Sequence, residues 1–109
     1  MKNIQFDLGS ANLTRTGKQE LDKLSAFMNQ NGKVEILLSG HTSTDGTNSF
    51  NKALSVNRVK SCKLYLMATG IDEGRIQVIG YGSDKPIAPN DTEQNRSKNR
   101  RVEMKITKL

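Results

Sequence analysis

The chain is expected to fold as an α/β (α+β) domain with the order β-α-β-α-β-β: a mixed four-stranded sheet with two main helices packed on one face. Three observations lead there. Strand-like runs from Val34 to Leu38, Arg75 to Tyr81 and Val102 to Ile106 are accompanied by two stretches with helical spacing, one before Val34 and one between Leu38 and Arg75. No Gly or Pro interrupts the chain between Gly46 and Gly70, so a helix of about twenty residues fits there. Apolar residues are only 34% of the composition and Trp is absent, which suits a sheet covered on one face. The 109 residues form one domain, 1–109, large enough to bury a core without metal or disulfide support.

The first strand is short, because Ile4 and Phe6 alternate with polar neighbours only until the loop from Asp7 to Asn12. Leu13 and Thr14 lead into the first helix. There Gly17, Leu21, Leu24 and Met28 recur at helical spacing with Phe27 beside them, and Asn29 to Gly32 ends the element. Val34, Ile36 and Leu38 then face one way in the second strand. The second helix is expected from about Asn48 to Thr69, with Gly70 as its cap. Ile71 to Gly74 connects it to the third strand. Pro86 and Pro89 mark an extended polar loop with one helical turn near Thr92 to Arg96. In the last strand Val102, Met104 and Ile106 alternate with Arg101, Glu103, Lys105 and Thr107, so one sheet face is apolar and the other wet.

On the second helix Asn51, Ser55, Arg58 and Cys62 share one stripe, polar at its near end and apolar at its far end. Laid on the sheet, this stripe holds Asn51, Ser55 and Arg58 at the rim of the core, beside the turn from His41 to Asp45. Arg58 can grip a carboxylate with two hydrogen bonds, and a helix N-terminus offers free amides to the same group. The competing role for Arg58 is a salt bridge at the helix edge. Roughly 10 Å of helix separates Asn51 from Arg58, a length that fits a small zwitterion or a peptide end. Ser43 and Asp45 on the facing turn can accept from an ammonium group, with only Asp45 supplying charge. Helix capping competes for Thr44, Asp45, Thr47 and Asn48.

The net charge of +6 points to an anionic partner without choosing among nucleic acid, membrane and acidic polymer. The basic residues crowd the C-terminal end. Lys105 and Lys108 suit a solvated strand face, whereas Arg100 and Arg101 sit where the long loop meets the strand. His41 is the only histidine, which excludes metal sites needing two and suits a hydrogen-bonded structural residue at a strand end. No phosphate-loop, Cys-x-x-Cys or Gly-x-Ser-x-Gly pattern occurs, and Cys62 reads as a small buried hydrophobe. A binding module without metal or cofactor is therefore expected rather than an enzyme. Nucleic-acid binding has only the charge in its favour. No leader peptide or membrane-spanning run is present. Met1 is followed almost at once by the first strand, as expected of a segment cut from a longer protein.

The residues Gly40-His41-Thr42, Gly46, Asn51, Leu54-Ser55 and Arg58 reproduce the spacing of the pattern Gly-His-Thr-Asp, two residues, Gly, four residues, Asn, two residues, Leu-Ser, two residues, Arg. Phe6-Asp7, Ser10-Ala11, Gly80-Tyr81-Gly82 and Asn99-Arg100-Arg101-Val102-Glu103 match as well. In these features, which cover nearly the whole chain, it resembles the C-terminal domain of the OmpA family, shared with peptidoglycan-associated lipoprotein and flagellar stator proteins. The resemblance implies a periplasmic domain that binds peptidoglycan through the diaminopimelate of the stem peptide and anchors a parent outer-membrane or envelope protein to the cell wall. It implies contact with the membrane only through that parent. Arg58 takes the carboxylate-binding role in this comparison, and Thr42 and Arg100 fall on matching motif positions. Leu54 and Phe6 match positions that wall the pocket. Ser43 stands where the family has its ammonium-binding Asp. Either Asp45 supplies the missing charge, or Ser43 binds by hydrogen bonding alone at a cost of about 1 to 3 kcal/mol. The alternative is a domain that has lost the pocket and serves as a structural or protein-interaction module.

Overall fold

Two threonines start the two long helices in the same way. The Thr14 hydroxyl oxygen accepts from the Gly17 amide at 3.1 Å and that of Thr47 from the Phe50 amide at 3.2 Å, satisfying donors that a helix start leaves free. In the computed structural model, which describes residues 1–109, they open helices α1 (Arg15–Gln30) and α2 (Asn48–Ala68). Around them lie strands β1 (Ile4–Gln5), β2 (Glu35–Gly40), β3 (Ile76–Gly80) and β4 (Arg101–Lys108), a 3-10 turn (Glu73–Arg75) and a short helix α3 (Glu93–Asn99).

The strands form one sheet in the order β1-β4-β2-β3, with β2 parallel to β3 and antiparallel to β4. Ile36 pairs with Ile76 and Ile106, and Leu38 with Val78 and Met104, so apolar residues share the face that α1 and α2 cover. Leu21, Leu24 and Met28 of α1 join Val59, Cys62 and Leu66 of α2 in this core. The mixed sheet and its helical layer match the expectation.

Two local expectations are corrected. Glu93 to Asn99 forms a seven-residue helix where one turn near Thr92 to Arg96 was expected. Thr92 caps it, and its one buried side chain is Asn99, so no apolar period announces it. Along β4 the apolar face fades from fully buried Val102 to partly exposed Ile106, because β1 pairs only with Arg101 and Val102 and the far end of the strand has less cover.

Two paired glycines set how closely α2 approaches the sheet. A Cβ on Gly40 would lie 2.2 Å from the Ser55 carbonyl oxygen, and one on Gly80 2.7 Å from the Ser55 hydroxyl and 2.8 Å from the Val56 amide. Only glycine leaves room for the helix backbone here. The Ser55 hydroxyl donates to the Lys52 carbonyl and accepts from the Gly82 amide at 2.9 Å, tying the turn after β3 to the helix.

Candidate functional site

The site forms where the parallel strands β2 and β3 end, the usual position for a ligand crevice in such sheets. The chain leaving β2 is held straight, because His41 donates to the Arg101 carbonyl and Thr42 to the Gly82 carbonyl, each through its amide at 2.9 Å. The segment from His41 to Ser43 is therefore buried and ordered despite its polarity. The His41 imidazole stacks on Tyr81 at 5.5 Å, with its Nε2 3.3 Å from the Ser39 hydroxyl. Burial, with Arg101 nearby, pushes its pKa down to about 4, so the ring is neutral at pH 7. This is the structural histidine that the sequence suggested.

Asn51, Ser55 and Arg58 go under α2 and are almost fully buried, deeper than the core rim where the sequence placed them. The Asn51 amide nitrogen donates to the Gly46 carbonyl at 3.2 Å and fixes the turn onto the helix. Arg58 makes no salt bridge at the helix edge. Its Nε donates to the Ser10 carbonyl at 2.8 Å, Nη1 to His41 at 2.9 Å and Nη2 to Asp7 at 3.0 Å, while the guanidinium lies 5.2 Å from the Phe6 ring centre. Burial, reinforced by Arg100, lowers its pKa to about 10, which still leaves a cation at pH 7. A buried charge usually has an acidic partner. Arg58 forms no salt bridge with any acid of the chain, only carbonyl dipoles.

Arg58 lies on a cavity of about 270 Å³, lined also by Thr42, Ser43, Asp45, Gly46, Asn51, Leu54 and Arg100, with Leu8, Gly9 and Phe50 at its walls. Seven of the residues singled out from sequence are thus brought together. Phe6 is not: it sits in the core under Arg58 and does not line the cavity. The free amides of the α2 N-terminus are not on the cavity either, since Asn48 and Ser49 line a separate polar hollow with Lys52, Tyr81 and Asp84. The Ser43 hydroxyl donates to the carboxylate of Asp45, the one acid among the residues lining the cavity, which leaves the Ser43 oxygen free to accept.

Arg100 is buried and forks onto Glu93, holding that carboxyl below its usual range. Its Nε and the Thr42 hydroxyl are buried without a partner in the protein, and both residues line the cavity. Arg101 serves the fold, donating to Glu103, Asn99 and Lys85. Leu8 and Phe50, more than half exposed at the cavity mouth, went unnoticed in the sequence; an apolar side chain off the buried stripe of α2 was the available signal for Phe50. Arg96, 3.6 Å from Asp45, had no signal at all. A second hollow of about 380 Å³, lined mostly by apolar residues, lies between α1 and β4, but its polar residues Glu20 and Lys23 pair with each other.

Residues 5–100 match the model of the OmpA family. Outer membrane protein A of Bordetella avium is 39% identical across 93% of this chain and 52% of its own length. The peptidoglycan-associated lipoprotein of Buchnera aphidicola is 35% identical across 90% of this chain and 57% of its own length. The chain thus spans about half the length of these relatives. The crystal structure of the peptidoglycan-associated lipoprotein from Burkholderia pseudomallei superposes with a TM-score of 0.94 over 98% of this chain and 91% of that one; at 22% identity this is a likeness of fold.

Proposed function

The chain belongs to the OmpA family, and from that premise we propose that it is a non-catalytic peptidoglycan-binding domain that grips the diaminopimelate of a stem peptide. One observation carries the reading: Arg58 is a fully buried cation, on a cavity lined by Thr42, Ser43, Asp45, Asn51 and Arg100, without an acidic partner in the protein. A guanidinium has five N–H donors, and three are committed to backbone carbonyls, so one on each terminal nitrogen remains to fork onto a carboxylate. The unpartnered Arg100 Nε and Thr42 hydroxyl suit the same carboxylate. Across the cavity Asp45, oriented by Ser43, receives the ammonium group. This arrangement answers the exchange of the family's Asp for Ser43: the charge moves two residues along and the hydroxyl holds it. Asn51 shapes the floor by fixing Gly46, and Leu54 supplies apolar wall for the ligand's methylenes.

Such a grip involves no bond making, so the domain acts as a tether. We place it in the periplasm, as part of a longer envelope protein whose other domains supply any membrane attachment. No helix is long and apolar enough to cross a membrane.

Isothermal titration with meso-diaminopimelate, on wild type, Arg58→Lys and Asp45→Asn, tests the grip. Wild type should bind and both variants should weaken by about tenfold or more, the loss of one charge-assisted contact. Absence of heat with the wild type, or equal affinity in all three, would overturn the reading. Co-sedimentation with purified sacculi then separates a wall tether from a protein-interaction module.

A further inference from the structure

Resting on that reading of the cavity, we infer that Arg96 of α3 determines the site's selectivity for an ammonium group, by competing with the ligand for Asp45. Both oxygens of Asp45 are engaged within the protein. Oδ2 accepts from the Ser43 hydroxyl, and Oδ1 faces Arg96 Nε at 3.6 Å. Because Asp45 is the one acid on the cavity, whatever neutralises it there decides how strongly the site attracts a cation.

Arg96 is built to let go. Its contacts are long: 3.6 Å to Asp45, 3.7 Å to Glu93 and 3.4 Å to the Asn90 carbonyl, and its Nε makes no hydrogen bond. Good N–H to O bonds are about 2.9 Å, so charge more than hydrogen bonding retains it. Arg100 on the same Glu93 is different, since it forks onto both carboxylate oxygens. If an ammonium group takes Asp45, Arg96 swings toward Glu93 and stays neutralised. If none arrives, Arg96 keeps Asp45 and the cavity presents a net positive field to carboxylates alone. A diamino acid must therefore displace an internal cation, whereas a plain dicarboxylate need not.

The test is titration of the intact chain, at fixed ionic strength, with meso-diaminopimelate and with pimelate, which has the same carbon chain and no amino groups. Arg96→Gln should tighten diaminopimelate about twofold to fivefold, the range of an exposed ion pair, and leave pimelate unchanged or weaker. Arg96→Lys keeps the charge and should behave as wild type. The gain should vanish in the Asp45→Asn background. Weaker or unchanged diaminopimelate binding by Arg96→Gln, or a gain that survives Asp45→Asn, would overturn the competition while leaving the grip standing. If neither wild type nor Arg96→Gln takes up diaminopimelate, the grip itself fails and the competition with it.

Discussion

Arg58 has a structural duty that its place in the family motif conceals. Its three carbonyl partners come from the loop after β1 and from the end of β2, so truncation leaves buried acceptors unmet. Arg58→Ala should therefore lose about 2 to 4 kcal/mol of stability in urea denaturation, beyond any loss of ligand. A simple alanine test of binding would be confounded; Arg58→Lys at least keeps the charge, and Asp45→Asn, which leaves all three carbonyl anchors in place, is the cleanest probe. His41 supplies a second prediction. Its pKa is about 4 in the folded domain against 6.5 unfolded, so the unfolded state takes up the proton first. Stability from this group is complete above pH 6.5 and is lost as pH falls toward 4, by about 2 to 3 kcal/mol. His41→Gln should flatten that part of the pH–stability curve, measured by thermal melts from pH 4 to 7. At this scale the sequence named seven side chains that the fold gathers on one cavity, but not their partners. Carbonyls from Asp7 and Ser10 carry no residue-type signature, and Arg96 lies too far along the chain from Asp45 for any local pattern to join them.

Helix α2 was legible almost to the residue, expected from about Asn48 to Thr69 and observed from Asn48 to Ala68, because its buried stripe repeats over several turns. Helix α3 was not, since it is polar throughout and buries only Asn99. That side chain holds the loop before it, accepting from the Ile87 and Ala88 amides and donating to the Ala88 carbonyl. The close seating of α2 on Gly40 and Gly80 predicts a sharp response to added bulk. Gly80→Ala should cost about 2 to 3 kcal/mol in chemical denaturation and disturb the Ser55 to Gly82 bond. Helix α1 is finished from outside. It has no basic residue in its last turn, and Arg75 reaches across to donate to the carbonyls of Met28, Asn31 and Val34. Arg75→Ala should lower stability by about 1 to 3 kcal/mol, read in the same experiment.

The whole domain was readable as strands and helices because each contributes one apolar face to a single core; the cavity was readable because its residues cluster from Thr42 to Arg58. What lay outside that stretch, such as Leu8 and Arg96, joined the site only through the fold. Ligand that binds the folded state alone should raise the melting temperature by about ten degrees at a hundredfold excess over its Kd, since that excess adds about 2.7 kcal/mol. A thermal melt with and without diaminopimelate checks this. The three carbonyl anchors of Arg58 have a mechanical meaning as well. A pull on a carboxylate seated against that guanidinium would be passed at once into the β1–α1 loop, the end of β2 and the first half of α2. Tension would be shared by backbone in three places, and the long side chain, pinned at every donor but two, could not stretch out and let the cargo drift.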